Sequence, residues 1–191
     1  MSPALAAATF AVVLVATIVG FIALTSYNAV VALRQRIDKA WANIDVVLRQ
    51  RHDQLPNLVA AVRGLMAYER DVLTRVTELR AAYLPTAPIP EQAVTSEATS
   101  AAVRSLFAVV ERYPDIKAQA NVADLQDQIE RLEAMIADRR ELYNDQVYRY
   151  NTAITQVPGV FLAPLLGWRP RDFFVADPAD AVRPDTDLRT T

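Results

Sequence analysis

The first charged side chain in this 191-residue chain is Arg34. Ahead of it, Ala4 to Leu24 is an unbroken run of alanine, valine, leucine, isoleucine and phenylalanine, softened only by Thr9, Thr17 and Gly20. As a helix the run is roughly 31 Å long, which matches the hydrocarbon thickness of a bilayer. A buried helix of a soluble protein rarely avoids charge for so long. A cleaved signal peptide is the rival reading, but it wants a basic leading region and a shorter apolar core. The expectation is an uncleaved transmembrane anchor over residues 1–26, with Tyr27 at the interfacial level that aromatic side chains favour. Arg34, Arg36, Lys39, Arg49 and Arg51 follow the run. By the positive-inside rule they place the N-terminus outside and the bulk of the chain in the cytoplasm.

Beyond the anchor the pattern is helical. Ile37, Trp41, Ile44 and Leu48 are spaced four, three and four apart, a core-facing stripe. No glycine or proline separates it from the anchor, so one long helix is expected to leave the membrane. Pro56 interrupts a pattern that resumes with Leu58, Val59, Val62, Leu65 and Met66 and continues through Val72, Val76 and Leu79 to Tyr83. Either the helix continues with a kink, or Asp53 caps a new one. The kink is favoured, because no glycine is present to reverse the chain. Pro85, Pro88 and Pro90 end this run. A second runs from Glu91 to about Arg112, with Val103, Leu106, Phe107 and Val110 on one face. The last long helix is expected from about Ile116 to Gln156, on a stripe of Leu125, Ile129, Leu132, Ile136, Tyr143, Val147, Tyr150 and Ile154 that is broken only at Arg139 and Arg140. Pro158-Gly159 closes it. Residues 159–176 form an apolar, aromatic segment too short to span a membrane and expected to pack on the helices or the bilayer. Residues 177–191 read as a disordered polar tail.

The chemistry-bearing residues are sparse. With no cysteine, disulfides, thiolate nucleophiles and cysteine zinc sites are excluded. The net charge of −2 offers no field for nucleic acid. His52-Asp53 lacks a second histidine and sits between arginines, so a structural role is expected, with no metal and no cofactor. The four glycines are isolated, so no phosphate-binding loop exists. The expectation is a non-enzyme. One echo is more informative: Tyr143-Asn144 recurs as Tyr150-Asn151, two helical turns later and on the same face. Amides near a helix seam usually fix register. Asn43, Asn57, Asp45 or Asp53 would be their partners.

Two sets of residues resemble the LemA family. The first comprises Tyr27-Asn28, Leu33-Arg34, Ala40-Trp41, Asn43-Ile44-Asp45-Val46, Leu48, Arg51, Asp53, Leu55-Pro56-Asn57-Leu58-Val59, Gly64 and Glu69. The second comprises Tyr113-Pro114, Lys117-Ala118, Asn121, Leu125-Gln126, Glu133, Arg139, Tyr143-Asn144, Val147, Tyr150-Asn151, Pro158, Gly167-Trp168 and Phe173-Phe174. Gln54, Val157 and Trp168 depart from the family pattern and touch only fine packing. The resemblance implies an all-α, four-helix-type antiparallel bundle over residues 27–158, carried by a single-pass anchor in a bacterial cell membrane. It supplies no catalytic residues, and it implies roles in the organisation of membrane compartments, magnetosome membranes included, or in envelope maintenance.

The resulting expectation is a membrane-anchored scaffold that contacts the lipid bilayer and an unidentified protein partner. A peripheral lipid-binding or membrane-remodelling protein, with Phe161 to Phe174 inserted in the interface, is the alternative, and an unrecognised enzyme using carboxylates and His52 is the third reading. The candidate interaction or packing residues are Trp41, Asn57, Tyr143, Asn144, Tyr150, Asn151, Trp168, Phe173 and Phe174.

Overall fold

The computed structural model describes residues 3–62 and 69–176. The fold is all-α, with no strand among the described residues. Among the described residues six helices follow in order: α1 (Pro3–Ala61), α2 (Arg70–Ala82), α3 (Ile89–Val110), α4 (Pro114–Lys117), α5 (Ala120–Thr155) and α6 (Gly159–Leu166). The expected tail over 177–191 lies outside the described residues.

Helix α1 is 59 residues long and runs without a break from the apolar N-terminal stretch into the first core stripe. It also carries Pro56 inside it, so the backbone stays helical there although the proline has no N–H to offer the carbonyl of His52. The run expected to extend from Pro56 to Tyr83 does not. Helix α1 stops at Ala61, and α2 begins only at Arg70. The apolar spacing persists across this break because both helices face the same core, and periodicity registers a face rather than a continuous helix. Leu65 and Met66, which the stripe included, lie outside the described residues.

Proline places the next boundaries. Pro88 stands at the N-cap of α3 and Pro90 in its first turn, where a missing N–H costs nothing. The carbonyls of Pro85 and Ala87 are instead met by the buried side chain of Gln92, whose Nε2 donates to them at 3.1 and 2.8 Å. Pro114 likewise opens α4. The expected helix from Ile116 to Gln156 is thus divided, with α4 ending at Lys117 and α5 starting at Ala120.

Packing separates the chain into two compact units, Met1–Lys39 with Asp145–Arg171, and Ala40–Asn144 with Asp172–Thr191. In the second, one hydrophobic cluster draws on four helices: Leu55 and Leu58 from α1, Leu73 and Val76 from α2, Val103 and Leu106 from α3, and Val122 and Ile129 from α5. In the first, the buried apolar residues are Val30 and Ile37 of α1, Val147, Tyr150 and Ile154 of α5, and Trp168.

These positions separate core from surface on the same helices. Leu58→Ala and Ile129→Ala should each lower the unfolding free energy by about 2–5 kcal/mol, whereas Val46→Ala, on the exposed face of α1, should change it by less than about 0.5 kcal/mol. Urea denaturation followed by circular dichroism measures all three, and a Val46 effect as large as that of Leu58 would reverse the assignment of faces.

A candidate site built from amides, aromatic rings and a buried arginine

The repeated Tyr-Asn pair of α5 acts on backbone, not on side chains of another helix. In the first unit, Asn151 forms two hydrogen bonds with one residue: its Oδ1 accepts from the Arg171 N–H at 2.9 Å, and its Nδ2 donates to the Arg171 carbonyl at 3.0 Å. The Tyr150 hydroxyl donates to the carbonyl of Arg169 at 3.1 Å. In the second unit, Asn144 treats Phe174 the same way, accepting at 2.8 Å and donating at 3.3 Å. The Tyr143 hydroxyl donates to the carbonyl of Asp172 at 2.9 Å. A primary amide has one acceptor and two donors, so it can pair with both polar groups of one residue as a neighbouring strand would.

The two pairs lie seven residues apart on α5, and the residues they bond, Arg171 and Phe174, lie three residues apart in the segment after α6. The partners expected from sequence were different. Asn43, Asn57 and Asp53 are exposed, Asp45 is bonded to Arg49 at 2.7 Å, and the Asn57 amide donates to Gln54 at 3.1 Å. A seam asparagine suggests a facing helix by default. That the facing group is unpaired backbone depends on where the chain returns, which no local pattern encodes.

The aromatic residues sit around these bonds. In the first unit the buried Trp168 stacks on Tyr27, with ring centroids 6.1 Å apart. Its placement follows Gly167, which ends α6 with φ at 66°, a left-handed conformation suited to glycine, while the Trp168 N–H donates to the Ala163 carbonyl. In the second unit Trp41 lies edge-on to Tyr143 at 5.7 Å and tilted against Phe174 at 5.8 Å. Tyr143 and Phe174 are buried, and Trp41 and Phe173 are half-buried.

Sequence reasoning missed the main polar feature of the second unit. Arg51, read as a charge near the membrane, is 4% exposed. Its Nη1 donates to Ser100 at 2.8 Å and to Glu133 at 2.9 Å, and its Nη2 donates to Ser96 at 2.9 Å. The Ser100 hydroxyl donates in turn to the other oxygen of Glu133. A signal was present, since Arg51 falls between Leu48 and Leu55 on the apolar stripe, where a solvated charge would not fit. Beside this network, Ser96, Glu97, Ser100, Arg104, Glu133 and Arg140 help to line a cavity of about 260 Å³. Its outer charges pair among themselves, Glu97 with Arg104 at 3.2 Å and with Arg140 at 3.6 Å. A ligand entering it would have to break those pairs. Arg139, at the gap in the α5 stripe, donates to the Asn43 carbonyl at 2.7 Å.

His52 lies 5.2 Å, ring to ring, from Tyr83, and its buried Nδ1 has no hydrogen-bond partner among the described residues. The Tyr83 hydroxyl approaches Asp45 at 3.5 Å. Burial first, and the Asp45 carboxylate second, push this phenol above the ordinary tyrosine value, while Arg49 pulls the other way.

Three relatives and one family model frame this geometry. The model described as the LemA family matches residues 40–187. The chain is 26% identical over 196 residues to magnetosome proteins MamQ 2 and MamQ 1 of Paramagnetospirillum magneticum, covering 88% of this chain and 72% of each relative. It is 24% identical over 193 residues to magnetosome protein MamQ of Magnetospirillum gryphiswaldense, covering 86% of this chain and 71% of the relative.

Two outcomes are expected. Glu133→Ala leaves Arg51 buried without its counter-charge and should destabilise the chain by about 3–5 kcal/mol, toward the lower end because the carboxylate is partly solvated. The double variant Arg51→Met with Glu133→Leu should recover most of that loss. A Glu133 effect under about 1 kcal/mol by urea denaturation would mark the pair as a surface one. The raised Tyr83 phenol contributes stability that is complete below about pH 10, its unfolded value, and is lost as pH rises through its higher folded value. Between about pH 9 and pH 11 the wild-type urea midpoint should therefore fall further than that of Tyr83→Phe. Equal falls would mean that the phenol titrates like a free tyrosine.

Proposed function

Because the chain belongs to the LemA family, we propose that it is a non-enzymatic scaffold, anchored in a bacterial membrane by α1, which holds a packed helical domain near the bilayer for a protein partner. The observation that carries this reading is the continuity of α1. The helix contains a window of high hydropathy, none of it buried in the protein, and continues without interruption into residues that form the core. Thr9, Thr17 and Thr25 in this region direct their hydroxyls to carbonyls of their own helix, at 3.1, 2.8 and 3.0 Å. A helix in hydrocarbon must satisfy its polar groups internally in this way.

Within the first unit the apolar run leads directly to the buried Val30 and Ile37, so the mechanism is positional. The relatives named as magnetosome proteins support a role in organising a membrane, and the family resemblance also supports envelope maintenance. Arg34, Arg36 and Lys39 are exposed just beyond the anchor, which favours a cytoplasmic packed domain and an external N-terminus. Arg51, buried in its ion pair, drops out of that count.

The full-length chain should stay with bacterial membranes through carbonate and high-salt washes. Photo-crosslinking residues on exposed positions of α1 and α3 should capture the same protein partner reproducibly, identified by mass spectrometry. Extraction by carbonate would remove the anchor, and a membrane-bound chain that yields no reproducible protein adduct would remove the scaffold role.

A further inference from the structure

Helix α6 exposes what a helix in water ordinarily hides. Its eight residues, Gly159 to Leu166, include no polar side chain. Phe161 is 68% exposed and Leu165 80% exposed, and Val157, Val160 and Leu166 are exposed beside them. At about 12 Å the helix is far too short to cross a bilayer.

Its depth is set by contacts within the first unit. The ring of Trp168, two residues past the end of α6, stacks on Tyr27. Tyr27 lies only about 4.5 Å of helical rise beyond Leu24, where the apolar run of the anchor ends. At the other end, Gly159 packs so closely on the carbonyl of Ala153 that a Cβ there would collide with it, so α6 starts tight against the end of α5. Phe21 and Leu24 on the anchor are exposed as well. The side chains of Arg169 and Arg171 follow immediately, their backbone held by Tyr150 and Asn151. An apolar helix followed by basic residues, at the level where a transmembrane helix emerges, has the composition of an element lying in the headgroup and acyl boundary.

We propose that α6 is a second membrane contact, a short helix that lies in the lipid interface beside the anchor without crossing the bilayer. The proposal rests on the reading of α1 as a transmembrane helix. Two points of attachment, one spanning and one lying flat, would fix the rotation of the first unit about the membrane normal, which a single span leaves free.

The chain contains no cysteine, so single spin labels can be placed without altering a native thiol. Full-length Phe161→Cys and Leu165→Cys, both at exposed positions with little packing to lose, are reconstituted in phosphatidylcholine–phosphatidylglycerol vesicles. Leu14→Cys, inside the apolar run, and Val94→Cys, on the exposed face of α3, serve as references. Collision with oxygen and with a water-soluble nickel chelate is read by electron paramagnetic resonance. Labels at 161 and 165 should show nickel collisions at least about fivefold below those at 94, with oxygen collisions raised toward those at 14. Nickel access at 161 and 165 equal to that at 94, with 14 in hydrocarbon, overturns the α6 proposal and leaves the anchor standing. Protection from both reagents means that protein, such as a second copy of this chain, covers α6, and overturns it too. A label at 14 that reads as water-exposed defeats the anchor reading and this proposal together.

Discussion

Two asparagine side chains determine how the C-terminal part of this chain is held. Asn151 and Asn144 each satisfy both polar groups of one backbone residue, Arg171 and Phe174. A segment without regular structure beside a helix otherwise leaves its N–H and C=O groups to find water, and burying them unpaired costs free energy comparable to a lost hydrogen bond. With those groups paired, Trp168 and Phe174 can be buried against their own units. Asn151, Gly167 and the ring contact of Trp168 thus form one dependent set in the first unit, and Asn144 and the ring contacts of Trp41 another in the second. Loss of the amide bonds would leave the aromatic residues without a fixed backbone to carry them.

A similar economy governs the second unit. Arg51 is tolerated in the core because a guanidinium presents donors in a fixed fork, and Ser96, Ser100 and Glu133 accept from it. A lysine could offer the charge but not the planar geometry. The network gives helices that otherwise meet through interchangeable aliphatic residues a point of specific registration, alongside the bond from Arg139 to the Asn43 carbonyl. Both features lie where the apolar stripes falter.

The membrane reading and the packing reading share one helix. Helix α1 ends its apolar run near Leu24 and has buried residues from Val30 onward, so in the proposed reading its surroundings change from lipid to protein within about two turns. A helix can serve both environments because its backbone is satisfied internally in each. The first unit collects the anchor, the end of α5 and α6, and so holds together the parts proposed to meet lipid. The second unit contains the Arg51 network and the charged cavity beside it.

Much of this was legible in order along the chain. The apolar N-terminal run of α1, the proline at the start of α3 and the apolar face of α5 follow from composition, from the missing N–H of proline and from a period of 3.6, all local properties. The resemblance carried by the Tyr-Asn pairs and the Leu55-Pro56-Asn57 stretch pointed to the right family for the same reason, since ordered motifs are read without coordinates. The end of α1 at Ala61 was not legible, because apolar spacing runs through a helix break when both sides face one core. Nor was the burial of Arg51, whose cost depends on three partners 45 to 82 residues away. The partners of Asn144 and Asn151, and the exposure of Phe161 and Leu165, were likewise decided only when the chain folded back. An amide or a phenyl ring has the same local preference whether it meets backbone, solvent or lipid, and tertiary structure alone determines which of these it meets.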